Sequence, residues 1–486
     1  MLARRSFYQR DRPNPQDQVT HASDKRTGGP GLRGHAPCRL DGLLPVGSVH
    51  YVTFDSVPDK RPWNPLRNVF HHYCRGMAVG KVHTAKTAPG PQPKLSSPAP
   101  VRRRPADRRE HIARVSAEAF GARGLHGVSM NEIGAKLDIS HAAVYRHFPS
   151  KYSLFRQETL RLSELGVRAV RLPETARNWD PARKFDFTVD AMIGAALANR
   201  GCGALLRWQH RYLDDDDRRI LLDQVATTEA ALRDRVEQMR PELSDAERAV
   251  IASALMSVIT SICDHRTRIP APELAEILAT TCKTIVGTTL PTIVAAEDEL
   301  PAVRRHHHEL VMYRAVELFR TRGYPVVSVE DIATASGLPS ASALYRYYRS
   351  KGDLLSAVIH RRLDRISTAV TAASDGDPHA ALTQLIASYV QESITEPGLS
   401  FVFHAELANL PAADGATMNH RQRLAIEACA QFVTAARPSL PPAHAHVLVH
   451  AALALVVDLE QLMGPDHPEC GAARIEHLMS DILLGA

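Results

Sequence analysis

The chain has 486 residues, 44% of them apolar, and a formal net charge of +6. That length suits roughly three domains of ordinary size, and the apolar share is ample for buried cores. The mild positive charge permits contact with nucleic acid or a membrane surface and demands neither. Seven cysteines with no CxxC pair signal neither a disulfide framework nor a zinc site. They read as free thiols of a reducing cytosol. No apolar run reaches the ~18–20 residues that span a bilayer. The first residues, MLARRSFYQRDRPN, lack the apolar stretch of a secretory signal.

Residues 1–104 show no sustained period, because proline, glycine, arginine and histidine break every short apolar run. A disordered extension is expected, with translation starting at Met77 as the alternative. His71, His72 and Cys74 fit no standard metal spacing, and neither a metal nor a cofactor is expected. Residues 101–104 with Arg108 and Arg109 form a basic arm, either a solvated tail or a reach toward DNA phosphates or the minor groove.

A helix is expected over 106–123, with Ile112, Val115, Ala119 and Phe120 on one stripe and Gly124 to stop it. Two short helices and the cap of a third follow in VSMNEIGAKLDISHAAVYRHFPSK, residues 128–151. The same design returns at 327–351, VSVEDIATASGLPSASALYRYYRSK. The offset is 199 at the preceding phenylalanine (319 − 120) and 200 at the closing lysine (351 − 151), so the chain is a duplication. In the second copy Val311, Ala315, Leu318 and Phe319 form the stripe, and His306, His307 and His308 are the polar start of that helix.

Each copy has a capping box, Ser129 with Glu132 and Ser328 with Asp331. Ile133 and Leu137, or Ile332 and Ala335, face inward. Asp138 and Gly337 take the turn, which favours glycine. Ser140 caps the next helix, and Pro339 and Ser340 open its counterpart. Ser150 and Lys151, or Ser350 and Lys351 with Asp353 as a further box, begin a long third helix.

Further helices are expected at 187–199, 202–213, 218–240, 246–264 and 273–288, repeated after residue 378. The segments AVIASALMSVITS and HVLVHAALALVVD are apolar on most faces, the mark of a buried helix. Residues 291–305, with Glu297, Asp298 and Glu299, read as a linker. The resulting domains are an HTH unit at 105–166, a helical domain at 167–290, a second HTH unit at 306–366 and a second helical domain at 367–486.

A helix-turn-helix sets its second helix in the DNA major groove. His141, Ala142 and Ala143 form a compact tip suited to base edges. Tyr145 and His147 sit where they reach the backbone, and Lys151 lies at a helix N-terminus that favours anions. Phe148 and Tyr348 are expected in the core.

The aromatic-x3-glycine, capping box and YRHFPSK pattern resembles the N-terminal domain of the TetR/AcrR family of transcriptional regulators. FRTRGY, SVEDIATASGL and LYRYYRSKGDLL resemble it a second time. The resemblance implies an all-α, duplicated architecture. Each copy would be a three-helix DNA-binding domain followed by a helical ligand-binding and dimerisation domain. It further implies a cytoplasmic, nucleoid-associated bacterial repressor that leaves double-stranded operator DNA when a small molecule enters the helical domain. By position, Ser129, Ser140, His141, Ala142, Ala143, Tyr145, His147 and Lys151 are its DNA-contacting residues. Ser328, Ser340, Ala341, Ser342, Tyr345, Tyr347 and Lys351 are those of the second copy.

The second copy departs from the pattern in one place. Ile139 to Tyr145 is six steps and Leu338 to Tyr345 is seven. One added residue turns a helix by about 100°, unless the loop at Pro339 absorbs it. A second unit without DNA binding, kept as a protein-interaction module, is the alternative. The family pairs through its last two helices, here within one chain as a pseudo-dimer or between two chains. Met192, Leu205, Trp208 and Met256, with Leu206, Ile193, Ala254 and Ile259 around them, are either a cavity for a lipophilic effector or ordinary core. Catalysis is not expected, since GxSxG, P-loop, dinucleotide and HExxH patterns are missing.

Overall fold

A computed structural model of the chain describes residues 105–292, 306–373, 377–463 and 471–485. The 1–104 extension, with His71, His72, Cys74 and Met77, lies outside them. So do the basic residues 102–104 and most of the expected linker, 293–305.

Among the described residues every regular element is helical, as the sequence leads one to expect. In the first half α1 is Pro105–Arg123, α2 Met130–Lys136, α3 His141–Tyr145 and α4 Lys151–Ala169. Then come α5 Pro181–Ala198, α6 Gly203–Gln209, α7 Asp215–Met239, α8 Asp245–Thr260 and α9 Ala271–Gly287. The second half repeats the plan with α10 His307–Arg322, α11 Val329–Ala335, α12 Ala341–Leu344 and α13 Lys351–Ala372. It closes with α14 Pro378–Thr395, α15 Leu399–Glu406, α16 Ala412–Ala436, α17 Pro442–Met463 and α18 Ala472–Leu484.

The duplication extends to the punctuation. Asp180 caps α5 on the Arg183 N–H and Asp377 caps α14 on the Ala380 N–H, each followed by proline. Proline suits a first helical position, where its missing N–H has no partner to lose. The offset there is 197 (378 − 181), against 200 at the closing lysine, so from the start of α13 to the start of α14 the second half is three residues shorter than the first is from α4 to α5.

Each half has a small core under its first helices. Phe120, Ile133, Val144, Phe148 and Phe155 fill the first, and Phe319, Ile332, Leu344 and Leu355 the second. Phe148 is fully buried and Tyr348 packs against its core, both as expected. Two inward positions differ from expectation. Val115 is only half-buried, with Ala113, Ser116 and Ala117 turned inward beside it, and Ala335 is exposed while Ala333 and Ser336 are buried. Helix α11 is under two turns long, so its inward face is set by Ile332 and its neighbour.

A third core joins the halves. Val250, Ile251, Leu255 and Val258 of α8 meet Val447, Ala451, Leu455 and Leu459 of α17 in one continuous apolar cluster. Helix α9 also packs on α18. Helices α8 and α17 are long and apolar enough to cross a membrane, but most of their residues are buried inside the fold. A helix apolar on all sides is stable in water only when surrounded in this way. The four described cysteines, Cys202, Cys263, Cys282 and Cys429, are buried free thiols.

Candidate nucleic-acid interface and ligand cavity

Each reading head is held by short-range hydrogen bonds. Glu132 accepts from the Ser129 N–H at 2.7 Å, and the Ser129 hydroxyl accepts from the Glu132 N–H at 3.2 Å. Ser328 and Asp331 repeat this at 2.8 and 3.0 Å. Arg123 pairs with Glu132 and Arg322 with Asp331, locking α1 to α2 and α10 to α11. The Arg123 guanidinium and the Ser129 cap hold the Glu132 carboxyl at about 2. The Ser328 cap, with Arg322, holds Asp331 at about 2. A carboxylate that accepts several hydrogen bonds keeps its charge in this way.

Asp138 adopts φ 53° and Gly337 φ 67°, so both turns use the left-handed region. The turn settles the extra residue of the second head. Ile139 N–H bonds to Gly134 at 3.0 Å and Leu338 N–H to Ala333 at 2.9 Å, both at offset 199. The following residues run at offset 200: Val144 and Leu344 are each fully buried. The insertion is therefore Pro339, absorbed by the loop. A carry-over by order from the family pattern sets Ser340, Ala341 and Ser342 against His141, Ala142 and Ala143, and the loop insertion shifts each of these by one. Ser340 stands where Ser140 stands, Ala341 where His141, and Ser342 where Ala142. Ser140 caps α3 through the Ala143 N–H at 3.2 Å. Ser340 makes no such cap, and its hydroxyl meets that of Ser342 at 2.8 Å.

The exposed surface of α3 is His141, Ala142 and Tyr145, followed by Arg146 and half-buried His147. That of the second head is Ser342, Tyr345, Arg346 and Tyr347, with Ala341 half-buried. Tyr145 is 47% and Tyr345 54% exposed, unusual for tyrosine outside an interface. Arg146 and Arg346 do not stand out in the sequence; the signal is their place one step after each tyrosine, on the outer side of the helix.

Ala143 is not part of the tip. It is 9% exposed and Ala343 7%, because the third residue after the cap turns toward the head core. The two lysines are also placed differently from expectation. Lys151 Nζ donates to the Val128 carbonyl at 3.1 Å. Lys351 Nζ donates to Tyr324 and Val327 at 2.9 and 2.7 Å and lies 4.3 Å from the Tyr324 ring centre. Burial lowers both ammonium groups from their ordinary value. Arg109, expected in the arm, instead bonds the His147 carbonyl and Gln157 and lies over the Phe148 ring.

Behind the first head is a cavity of about 240 Å³ between α4, α5, α6, α7 and α8, with Asp458 and Gln461 of the second half in its wall. Met192 and Met256 line it, as do Leu206 and Ile259. Leu205 and Trp208 do not. Leu205 faces the first head's core, and Trp208 sits in the seam with Phe401, Ala405 and Val457. At the cavity's polar end, buried Arg207 stands between Asp264 at 3.3 Å and Asp458 at 2.8 Å. Trp208 Nε1 donates to Asp264 at 3.0 Å, and the Trp208 ring stacks on His404 at 5.0 Å. His210, also lining, donates its Nδ1–H to the Leu206 carbonyl at 3.0 Å, and burial lowers its pKa to about 4. Among the described residues no group of histidine, cysteine and carboxylate side chains is arranged to hold a metal.

Two short helices, each raised on a three-helix head and each ending at an exposed tyrosine beside an arginine, define a DNA-binding regulator of the helix-turn-helix kind. The family model for bacterial regulatory proteins of the tetR family matches twice, at residues 112–157 and 312–358. Both matches fall on the heads, so the chain carries two tandem helix-turn-helix units of the TetR type.

Among solved structures, a TetR-family transcriptional regulator from Bordetella parapertussis is similar at 20% identity, covering 36% of this chain and 93% of that one, TM-score 0.32. The TetR-family regulator PfmR from Thermus thermophilus gives 20%, 36%, 93% and 0.31. AibR, solved with isovaleryl coenzyme A and operator DNA, gives 18%, 37%, 96% and 0.30. No curated protein matches the chain.

Proposed function

We propose that the chain is a cytoplasmic repressor that works as its own dimer on the bacterial nucleoid. Its two heads read one double-stranded operator, and a small lipophilic effector releases it. The observation that carries this reading is the seam. Helices α8 and α9 pack on α17 and α18 inside one chain, in a core shared by both halves. The surfaces through which two chains would otherwise pair are thereby already covered.

The heads differ, so the operator has unlike half-sites. His141, Ala142 and Tyr145 read the first with Arg146 and His147 on phosphates; Ser342, Tyr345, Arg346 and Tyr347 serve the second. Ser129, Ser140 and Ser328 cap helices whose N-terminal N–H groups meet phosphates. Lys151 and Lys351 brace the heads. A second reading, in which the second head has no DNA role, is favoured by the four-residue length of α12 and its missing serine cap.

Selection of bound sites from random DNA tests this. Two unlike half-sites with centres about 34–36 Å apart, or a multiple, are expected. A single half-site would favour the second reading, and a palindrome would contradict the self-dimer.

A further inference from the structure

The two halves treat the same internal space differently. Four positions lining the first cavity are Leu162, Met192, Gly203 and Val225. Their counterparts, at offset 200 for α4 and 197 beyond it, are Arg362, Tyr389, Ser400 and Gln422. All four of these join one network, in which Arg362, Tyr389 and Ser400 are buried and Gln422 half-buried. Arg362 Nε donates to Ser400 Oγ at 3.1 Å and its NH1 group to Gln422 Oε1 at 2.7 Å. The Tyr389 hydroxyl meets Ser400 Oγ at 3.3 Å. The guanidinium lies 4.5 Å from the Phe403 ring centre, and Arg362 is 1% exposed. The apolar pocket that remains between α13, α14, α16, α17 and α18 is about 30 Å³, while a wider cleft lined by Trp208, His404, His450 and Gln422 opens between the halves. A water needs about 10–15 Å³ of such space, so the apolar remnant holds no organic ligand.

The first cavity's charge selects among lipophiles. Its one buried cation, Arg207, already faces two carboxylates, Asp264 and Asp458. Burial pushes Asp264 up to about 6 and raises Asp458 as well, yet one ionised carboxylate is enough to cancel the arginine. His210 is held neutral by burial. No uncompensated positive charge is left for an anion, and bringing a carboxylate into such a site carries its full desolvation cost. Neutral donors and acceptors are at hand in Asn199, Thr228 and Thr260.

We propose that each chain has one ligand site, the first-half cavity, which takes an uncharged lipophile, while Arg362 permanently occupies the equivalent space in the second half. The ligand is larger than benzene, which fills a cavity of about 150 Å³. Because Asp458 and Gln461 complete the wall, the site needs both halves. This rests on the reading of the first cavity as the effector site.

The test uses the full chain titrated with Nile red, a neutral lipophilic dye, followed by displacement with decanol or decanoate. The expected result is one dye per chain, with decanoate displacing at least about ten-fold less effectively than decanol. Ala196→Phe, which fills the cavity, abolishes dye binding, and Arg362→Leu adds a second site. Because Arg362→Leu reads a gain, the test survives if Ala196→Phe fails to fold. Two dyes per wild-type chain, no dye at all, or decanoate equal to decanol would overturn the proposal. One dye per chain without release of operator DNA would leave the site assignment standing and refute only the effector reading.

Discussion

Gln209 and Glu406 hold equivalent places in the two halves, 197 positions apart (406 − 209), and do the same thing. Gln209 Oε1 accepts the Leu125 N–H at 3.3 Å, and Glu406 Oε1 accepts the Tyr324 N–H at 3.0 Å. Leu125 and Tyr324 each follow the glycine that ends a head's first helix. Both side chains also reach across the seam. Gln209 Nε2 donates to the Ala405 carbonyl at 3.4 Å, and Arg211 pairs with Glu406. Helix α6 thus carries cavity-lining residues on one side and a tie to the first head at Gln209, while Arg211 just beyond it reaches Glu406, which holds the second head.

The Arg211–Glu406 pair is buried, at 6% and 1% exposure. Replacing one partner strands a charge, so Glu406→Met should destabilise the fold by about 3 kcal/mol, and adding Arg211→Met should recover most of that loss. A double-mutant cycle by denaturant unfolding checks this. Additive losses would show that the two side chains do not act as a pair.

Ala142 and Ala143 are neighbours with opposite roles. Ala143→Leu overfills the head core and should cost about 1–3 kcal/mol. Ala142→Leu should leave the melting temperature unchanged while weakening operator binding. Thermal unfolding and gel shifts on the two variants separate the effects; a reversed pattern would place the reading face elsewhere on α3.

Asp138 holds a left-handed conformation that glycine adopts at the matching position, Gly337. Asp138→Gly should therefore stabilise the first head by up to about 1 kcal/mol, read as a rise in the denaturant midpoint.

Acid should weaken the seam. Burial lowers His210 and His450 from 6.5 to about 4, His265 to about 2, and His404 well below its usual value. Arg211 and Arg218 near His210, with Arg200, Arg266 and His446 near the stacked His265–His450 pair, act in the same direction. At these four histidines the unfolded chain binds more protons than the folded one once pH drops below 6.5, while Asp264 at about 6 and Glu392 at about 7 take up protons in the folded state and offset part of the effect. The histidine part of the stability is therefore complete above pH 6.5 and is lost on the way down to about 4. Melting temperature should fall by roughly 5 °C or more from about pH 7.5 to about pH 5. A flat profile would mean that proton uptake by the raised carboxyls, Asp264 and Glu392, equals that lost at the histidines.

The heads are legible in the sequence because their signals are local. Ser129 and Glu132, Asp138, or Ser150 and Lys151 act on backbone within a few residues. The seam helices are legible from apolar faces alone. What stays hidden depends on partners distant in sequence. Arg207 reads as a surface charge until Asp458 stands beside it. Arg362 reads as one more polar residue of an amphipathic helix. Leu205, Leu206 and Trp208 share a helix whose faces point to a head, a cavity and the seam, and apolarity does not say which is which. Lys151 reads as a phosphate ligand because a helix N-terminus favours anions, yet its ammonium is taken by the carbonyl of Val128.

The most direct test of the self-dimer is the mass of the protein on a duplex carrying both half-sites, measured by light scattering. One chain of 53.4 kDa per duplex is expected, with Tyr145→Ala and Tyr345→Ala each weakening contact at a different half-site. Two chains per duplex would contradict it.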